Sequence, residues 1–132
     1  MSVISDPIGD MVVRIKNAYR AKKETVLIPH SNAKQAIAEL LKSRGYIADI
    51  EKKGKKIRKF LDLTLSYANG VPAVSDMRRV SKPSRRLYVK ASDIKPVKNG
   101  RGMWIISTPK GLLSSIDAKQ KRLGGEILAE VW

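Results

Sequence analysis

Apolar residues in the first part of the chain recur at helical spacing. Ile8, Met11, Val12, Ile15 and Tyr19 fall three and four apart, with Arg14, Lys16 and Asn17 on the polar side, which predicts one amphipathic helix. Asp6-Pro7 starts it, because the carboxylate can cap orphan amides and a proline in the first helical position loses no needed N–H. The pattern decays in the charged stretch Arg20 to Glu24. Thr25 to Pro29 reads as a short buried strand. A second helix opens at Ser31 or Asn32, buries Ala33, Ala36, Ile37, Leu40 and Leu41, and stops at Gly45, a left-handed cap. Tyr46 to Glu51 and Ile57 to Ser66 then predict a hairpin, since Leu61, Leu63 and Leu65 alternate with Asp62 and Thr64. Its connector is Lys52-Lys53-Gly54-Lys55-Lys56.

Asn69-Gly70-Val71-Pro72 interrupts the pattern and marks a candidate domain boundary. Beyond it the expected strands are Ala73 to Val80, Leu87 to Lys90, Met103 to Thr108, Leu112-Leu113 and Glu126 to Trp132. A basic turn surrounds Lys82-Pro83-Ser84, a Ser92-Asp93-capped turn follows, and Pro109-Lys110-Gly111 reverses the chain. Ser114-Ser115-Ile116-Asp117 is a capping signal for a brief helix ending at Gly124-Gly125. In the last strand Ile127, Ala129 and Val131 should face away from Leu128 and Glu130, with Trp132 docked. The fold class is α+β in two small modules. Residues 1–68 form an N-terminal α/β domain, two helices on a three-stranded sheet. Residues 69–132 form a mainly antiparallel β domain with a short helix.

Charge changes the picture from fold to partner. The 132 residues carry 27 Lys+Arg against 12 Asp+Glu, a formal charge of +15. Residues 1–68 hold 14 basic and 7 acidic side chains, and residues 69–132 hold 13 and 5, so both halves are positive. Basicity spread over the folded body predicts a polyanionic partner that touches that body. No helix pairs a broad aromatic or leucine face with a lysine-rich one, so a membrane is not the expected partner. The absence of cysteine removes disulfides and thiolate chemistry, and the N-terminal run Met1 to Pro7 lacks the basic and apolar regions of a leader. A cytoplasmic location is expected.

Catalytic and metal chemistry have little to stand on. His30 is the only histidine, flanked by Pro29, Ser31 and Asn32 without a carboxylate, and no phosphate loop or nucleophile elbow occurs. No catalytic, metal or cofactor site is expected. Nucleic-acid contact has several candidates. Lys52 to Lys59 holds six basic residues and no acid, which suits either a solvated hairpin tip or direct contact. Met77 to Lys90 holds six more, Lys82, Arg85 and Arg86 among them, with Tyr88 interleaved; guanidinium groups clamp phosphates, and an exposed tyrosine stacks on an unpaired base. Tyr88 could equally face the core, since it alternates with Arg86 and Lys90. Ser107-Thr108-Pro109-Lys110-Gly111 presents two hydroxyls and a cation that could read an RNA minor groove, although by itself it is an ordinary turn. Gly124-Gly125-Glu126 offers bare backbone for close approach to RNA, or merely ends a helix.

Taken together these residues resemble a known family. Asp6-Pro7-Ile8-Gly9-Asp10-Met11 with Arg14-Ile15-Lys16-Asn17-Ala18 is similar to the opening of the S8 family of bacterial small-subunit (30S) ribosomal proteins. Arg79-Val80-Ser81-Lys82-Pro83 followed by Arg86 and Tyr88 resembles its central motif. Ile105-Ile106-Ser107-Thr108-Pro109-Lys110-Gly111, then Ala118, Gly124-Gly125-Glu126 and Trp132 resemble its closing signature. The resemblance implies a structural, non-enzymatic protein with a C-terminal RNA-binding domain that binds the central domain of 16S rRNA early in assembly of the subunit platform. It implies contacts from Ser107 to Gly111, the region of Tyr88, Gly124 to Glu126, and the start of the second helix near Ser31, Asn32 and Lys34. Neighbouring small-subunit proteins are implied partners, the free protein is implied to be monomeric, and some members repress translation of their own operon by binding a similar fold in its messenger. Two positions depart from the family pattern: Pro109 stands where serine is usual, and Ser84 where glycine is usual. Pro109 removes one N–H and one hydroxyl from the loop.

Two other readings of the residues predict different behaviour. A general DNA-organising protein would be competed away by bulk duplex DNA. A small ribonuclease would need a general acid and base, for which one histidine and few clustered carboxylates make poor provision.

Overall fold

Asp6 does what its place before Pro7 suggests: its carboxylate accepts the Gly9 N–H at 3.1 Å as helix α1 (Pro7–Arg20) begins. The computed structural model describes residues 6–132, and the segment Met1 to Ser5, read above for its lack of a leader pattern, lies outside the described residues. Chain contacts gather the described residues into two compact units. One is Val13–Ser75; the other joins the residues up to Val12 to Asp76–Trp132.

In the first unit, β1 (Thr25–Pro29) and α2 (Asn32–Ser43) lead to β2 (Ile47–Lys55) and β3 (Arg58–Leu65), and the antiparallel sheet runs β1-β3-β2. Register explains the core. Val26 faces Leu63 and Ile28 faces Leu61, so the leucines of β3 share one face with Ile28, and Leu61, Leu63 and Ile28 are fully buried. Ile15, Ala18, Tyr19, Ile37, Ala38 and Leu41 are buried as well. The Tyr19 hydroxyl donates to the Tyr46 carbonyl and accepts the Ser66 N–H at 3.1 Å, which satisfies a phenol that would otherwise be costly to bury. Asn69-Gly70 turns the small hairpin of β4 (Tyr67–Ala68) and β5 (Val71–Pro72).

Three expectations in this unit are corrected. β1 is not buried along its length: only Ile28 is buried, and Leu27, on the opposite side of the strand, is 47 % exposed. The run Lys52 to Lys55 is strand, because pairing continues to Lys55 opposite Arg58 and only Lys56 and Ile57 form the turn. Side chains on an edge strand can stay solvated, so lysines there do not prevent pairing. In α2, Ala33 is exposed while Lys34 is 8 % exposed. The lysine's aliphatic stem is covered, and its ammonium donates to the Pro29 carbonyl at 3.3 Å.

The second unit is built around one strand. β10 (Gly125–Val131) pairs with β8 (Met103–Thr108) on one side, and on the other with β6 (Met77–Arg79) and, at its start, β7 (Tyr88–Val89). β9 (Gly111–Ser114) extends the sheet beyond β8, and α3 (Ser115–Gln120) follows it. Ser114 caps α3 by accepting the Asp117 N–H at 3.1 Å, as its sequence position predicts. Trp132 docks by exchanging backbone hydrogen bonds with Asp76, and the Lys98 ammonium lies 4.3 Å from its ring centroid. The α+β class, with helices and a sheet first and an antiparallel sheet with a short helix second, is the one expected.

Four details differ from expectation. The strand expected over Ala73 to Val80 shrinks to Met77–Arg79, as Ala73 spends its N–H on Ser66 instead. The turn at Ala91–Asp93 carries no side-chain cap. α3 ends at Gln120, well before the glycines. Side chains of β10 do not alternate in burial: Ile127 to Val131 are all buried, and a bulge between Ile127 and Ala129 resets the facing so that these two do not share a side. Burial of Glu130 is tolerated because Trp104 Nε1 donates to it at 3.0 Å and Arg78 reaches it at 3.4 Å.

Candidate nucleic-acid interface

Strand register assembles the site. Glu126 of β10 stands opposite Tyr88 of β7 and Ser107 of β8, and Ser107 stands opposite Leu112 of β9. Residues directly opposite in antiparallel pairs share a face, so Tyr88, Glu126 and Ser107 form one row. Tyr88 is 70 % exposed, so it does not face the core. An aromatic ring left in water at the end of a strand is a free stacking surface. Glu126 is partly covered, and an Arg86 guanidinium nitrogen lies 3.3 Å from both of its carboxylate oxygens. The pair cancels the acid's charge on an otherwise basic face and fixes the direction of Arg86.

The basic loop before Tyr88 is held from below by Ser81. Its fully buried hydroxyl accepts the Leu87 N–H at 2.9 Å and donates to the Leu87 carbonyl at 3.2 Å. Lys82 and Arg85 exchange backbone hydrogen bonds across the intervening turn, and Leu87 accepts from Ile127, so the loop sits on β10. Lys82, Pro83, Ser84, Arg85 and Arg86 are all exposed. Arg79 turns inward instead. It pairs with Asp6 at 3.0 Å and donates to the Leu128 carbonyl at 2.9 Å. Partial burial alone would push the Asp6 carboxyl up, but the hydrogen bonds from Arg79 and the Gly9 N–H, with the charges of Arg79 and Lys82, hold it below the ordinary aspartate value. Ser81, absent from the sequence-derived set of contact residues, positions that set; it lies in the Arg79-to-Pro83 motif, which was its only signal.

At the other end of the row the two hydroxyls do different things. Thr108 is buried, its Oγ1 donates to the Gly111 carbonyl at 2.8 Å and accepts the Lys110 N–H at 3.1 Å, so it braces the turn. Ser107 is half-buried, its hydroxyl makes no such hydrogen bond among the described residues, and Pro109, Lys110 and Gly111 are exposed. Gly111 sits at φ 105°, which a side chain would strain. The glycine pair at the start of β10 has a tighter reason to be bare. A Cβ on Gly125 would lie 2.0 Å from the Ser107 carbonyl oxygen, and one on Gly124 would lie 2.4 Å from that of Val89. These glycines let β10 press between β7 and β8, and the reading in which they end a helix is corrected.

Ser31, Asn32 and Lys34 belong to the other unit. Ser31 Oγ accepts the Lys34 N–H at 3.1 Å as the cap of α2, Asn32 is exposed, and the Lys34 ammonium already has the Pro29 carbonyl. His30 Nε2 lies 2.8 Å from Gln35 Oε1. Among the described residues no group of three or more His, Asp or Glu side chains could hold a metal, and no helix is long and apolar enough to cross a membrane. What the arrangement can do is bind: a stacking ring, a row of small polar groups, and cations at both ends.

Comparison with known proteins meets this geometry. A family model described as ribosomal protein S8 matches residues 6–132. Relatives named small ribosomal subunit protein uS8 include those of Mycoplasmopsis pulmonis, 46 % identical over 132 residues and all of both chains, and Mycoplasma mobile, 45 % identical over 130 residues and 98 % of each chain. That of Chloroflexus aurantiacus is 47 % identical over 132 residues, again with 98 % of each chain covered.

Proposed function

Because the chain belongs to the ribosomal protein S8 family, a family of structural components of the small ribosomal subunit, we propose that it is a primary RNA-binding protein. It binds the central domain of 16S rRNA directly through the C-terminal part of the chain that carries Tyr88, Ser107 and Glu126, and helps assemble the 30S platform. Its own operon's messenger is a second proposed RNA target, neighbouring small-subunit proteins are its protein partners, and it acts as a monomer until it joins the ribosome in the cytoplasm. The role is to hold RNA in shape; no catalytic step is assigned.

The observation that carries this reading is the row Tyr88–Glu126–Ser107, with its ring 70 % exposed beside Arg86. Folding gains little from an aromatic ring in water, whereas an RNA with unpaired bases gains a stacking partner. Lys82, Arg85 and Lys110 supply phosphate attraction, and Ser107 and the backbone of Pro109 to Gly111 supply small groups for a minor groove. Near the start of α2, Asn32 is exposed for contact, while Ser31 and Lys34 also serve the fold as cap and as donor to the Pro29 carbonyl. Tyr88→Ala should weaken binding of the cognate RNA by about 1–3 kcal/mol, the range for losing one aromatic–base stack, and leave the melting temperature within a degree or two. Titration with cognate and scrambled RNA checks it. Unchanged cognate affinity would remove Tyr88 from the interface.

A further inference from the structure

One basic element lies in the other unit, Val13–Ser75. β2 and β3 form a hairpin whose pairing runs to Lys55 opposite Arg58, leaving Lys56 and Ile57 as a two-residue turn. The acids of the hairpin lie toward its base. Asp49 pairs with Lys42 at 3.2 Å and Asp62 with Lys53 at 2.8 Å, while the stretch 52–61 contains no acid. Lys55, Lys56, Arg58 and Lys59 are exposed and have no acidic partner among the described residues. The charges therefore crowd at the end of a ribbon where no described acid pairs with them.

The turn also breaks two local rules at once. Lys56 adopts φ 48°, a conformation for which glycine, asparagine or aspartate is the usual choice. Ile57 is 96 % exposed, the most exposed large apolar residue described. Lysines along the β2 edge could serve simply to discourage edge-to-edge pairing, but an isoleucine at the apex works against that purpose. Lys22, Lys98 and Arg122 share that positive φ, so what marks this turn is the pairing of Lys56 with an apex isoleucine left in water.

We propose that this hairpin tip is a second RNA-contact site, distinct from the Tyr88–Ser107 face. Lys55, Lys56, Arg58 and Lys59 take phosphates, and Ile57 packs on a base or ribose exposed at a junction or irregular groove. This rests on the reading that the chain binds ribosomal RNA. RNA is favoured over an acidic protein because a compact cluster of point charges around a single apolar group suits a phosphate backbone with one unstacked face, and offers no apolar area for a protein interface.

The test uses the full chain and two RNAs: intact small-subunit ribosomal RNA, and a fragment trimmed to the segment protected by the Tyr88–Ser107 face. One variant carries Lys56→Gly with Ile57→Ser, which suits the positive φ and should melt at or above the wild-type temperature. The other carries Lys55→Ala with Arg58→Ala. On the intact RNA the first should lose affinity about three- to tenfold. The second should also lower the log–log salt slope by roughly 1.4–1.8, at about 0.7–0.9 per phosphate contact. Neither should change on the trimmed fragment. Wild-type affinity of both variants for the intact RNA overturns the proposal, and so does an equal loss on both RNAs, which would mean general attraction and no second site. Failure of the wild-type chain to prefer ribosomal over scrambled RNA would instead overturn the underlying function.

Discussion

Ser107 and Thr108 are adjacent hydroxyls with different duties. Thr108 Oγ1 closes the turn onto Gly111 and Lys110, whereas the Ser107 side chain stands in the row with Glu126. Ser107→Ala should therefore weaken cognate RNA binding by about 1–3 kcal/mol, the cost of an unpaired polar partner, with little change in folding. Thr108→Ala should lower stability by about 1 kcal/mol before any RNA is added, from the loss of its two turn hydrogen bonds. Paired melts and titrations separate the two, and equal melting temperatures would remove the brace assigned to Thr108. From sequence these residues look interchangeable, because the hydrogen bonds of a two-residue turn depend on backbone direction. Tyr88 was ambiguous for a related reason: alternation tells which residues share a side, but not whether that side is covered. Ala33 was expected inside and Lys34 takes the covered place instead, since a lysine's stem can be buried while its ammonium reaches a carbonyl.

At the scale of elements, boundaries set by local chemistry were legible. β1 at Thr25–Pro29 and β8 at Met103–Thr108 fall where apolar pattern meets turn residues, and Ser31 and Ser114 cap their helices as expected. What could not be read was set by partners distant in sequence. β10 departs from simple alternation because of a bulge in its pairing with β8, and Gly125 is bare because the Ser107 carbonyl lies against it. Helix α1 offers a test of a contact of this kind. Asp6→Asn keeps a capping side chain but loses the charge opposite Arg79. The folded-state pKa of Asp6 is lowered, so its pairing contributes stability above the ordinary aspartate value of about 3.9 and loses it as pH falls through the folded value. Unfolding in urea should show the variant less stable at pH 7 by under about 1 kcal/mol, since the pair is partly solvated. The gap should narrow as pH falls below the ordinary aspartate value and close once the folded carboxyl is protonated. A gap independent of pH would mean that the ion pair contributes nothing.

For the molecule as a whole, an excess of positive charge in both halves announced a polyanion, and motifs spread along the chain pointed to one family. Which surface meets the RNA was less legible, since basic residues are everywhere and only the fold separates Arg79, turned onto Asp6, from Arg85 and Arg86, left in solvent. We propose that the Tyr88–Glu126–Ser107 face grips a defined element in the central domain of 16S rRNA. Chemical probing of that RNA with and without the purified chain tests it most directly. One compact protected element within the central domain, lost with Tyr88→Ala and Ser107→Ala combined, is the predicted result. Protection scattered along the RNA, or unchanged by that double substitution, would contradict the account.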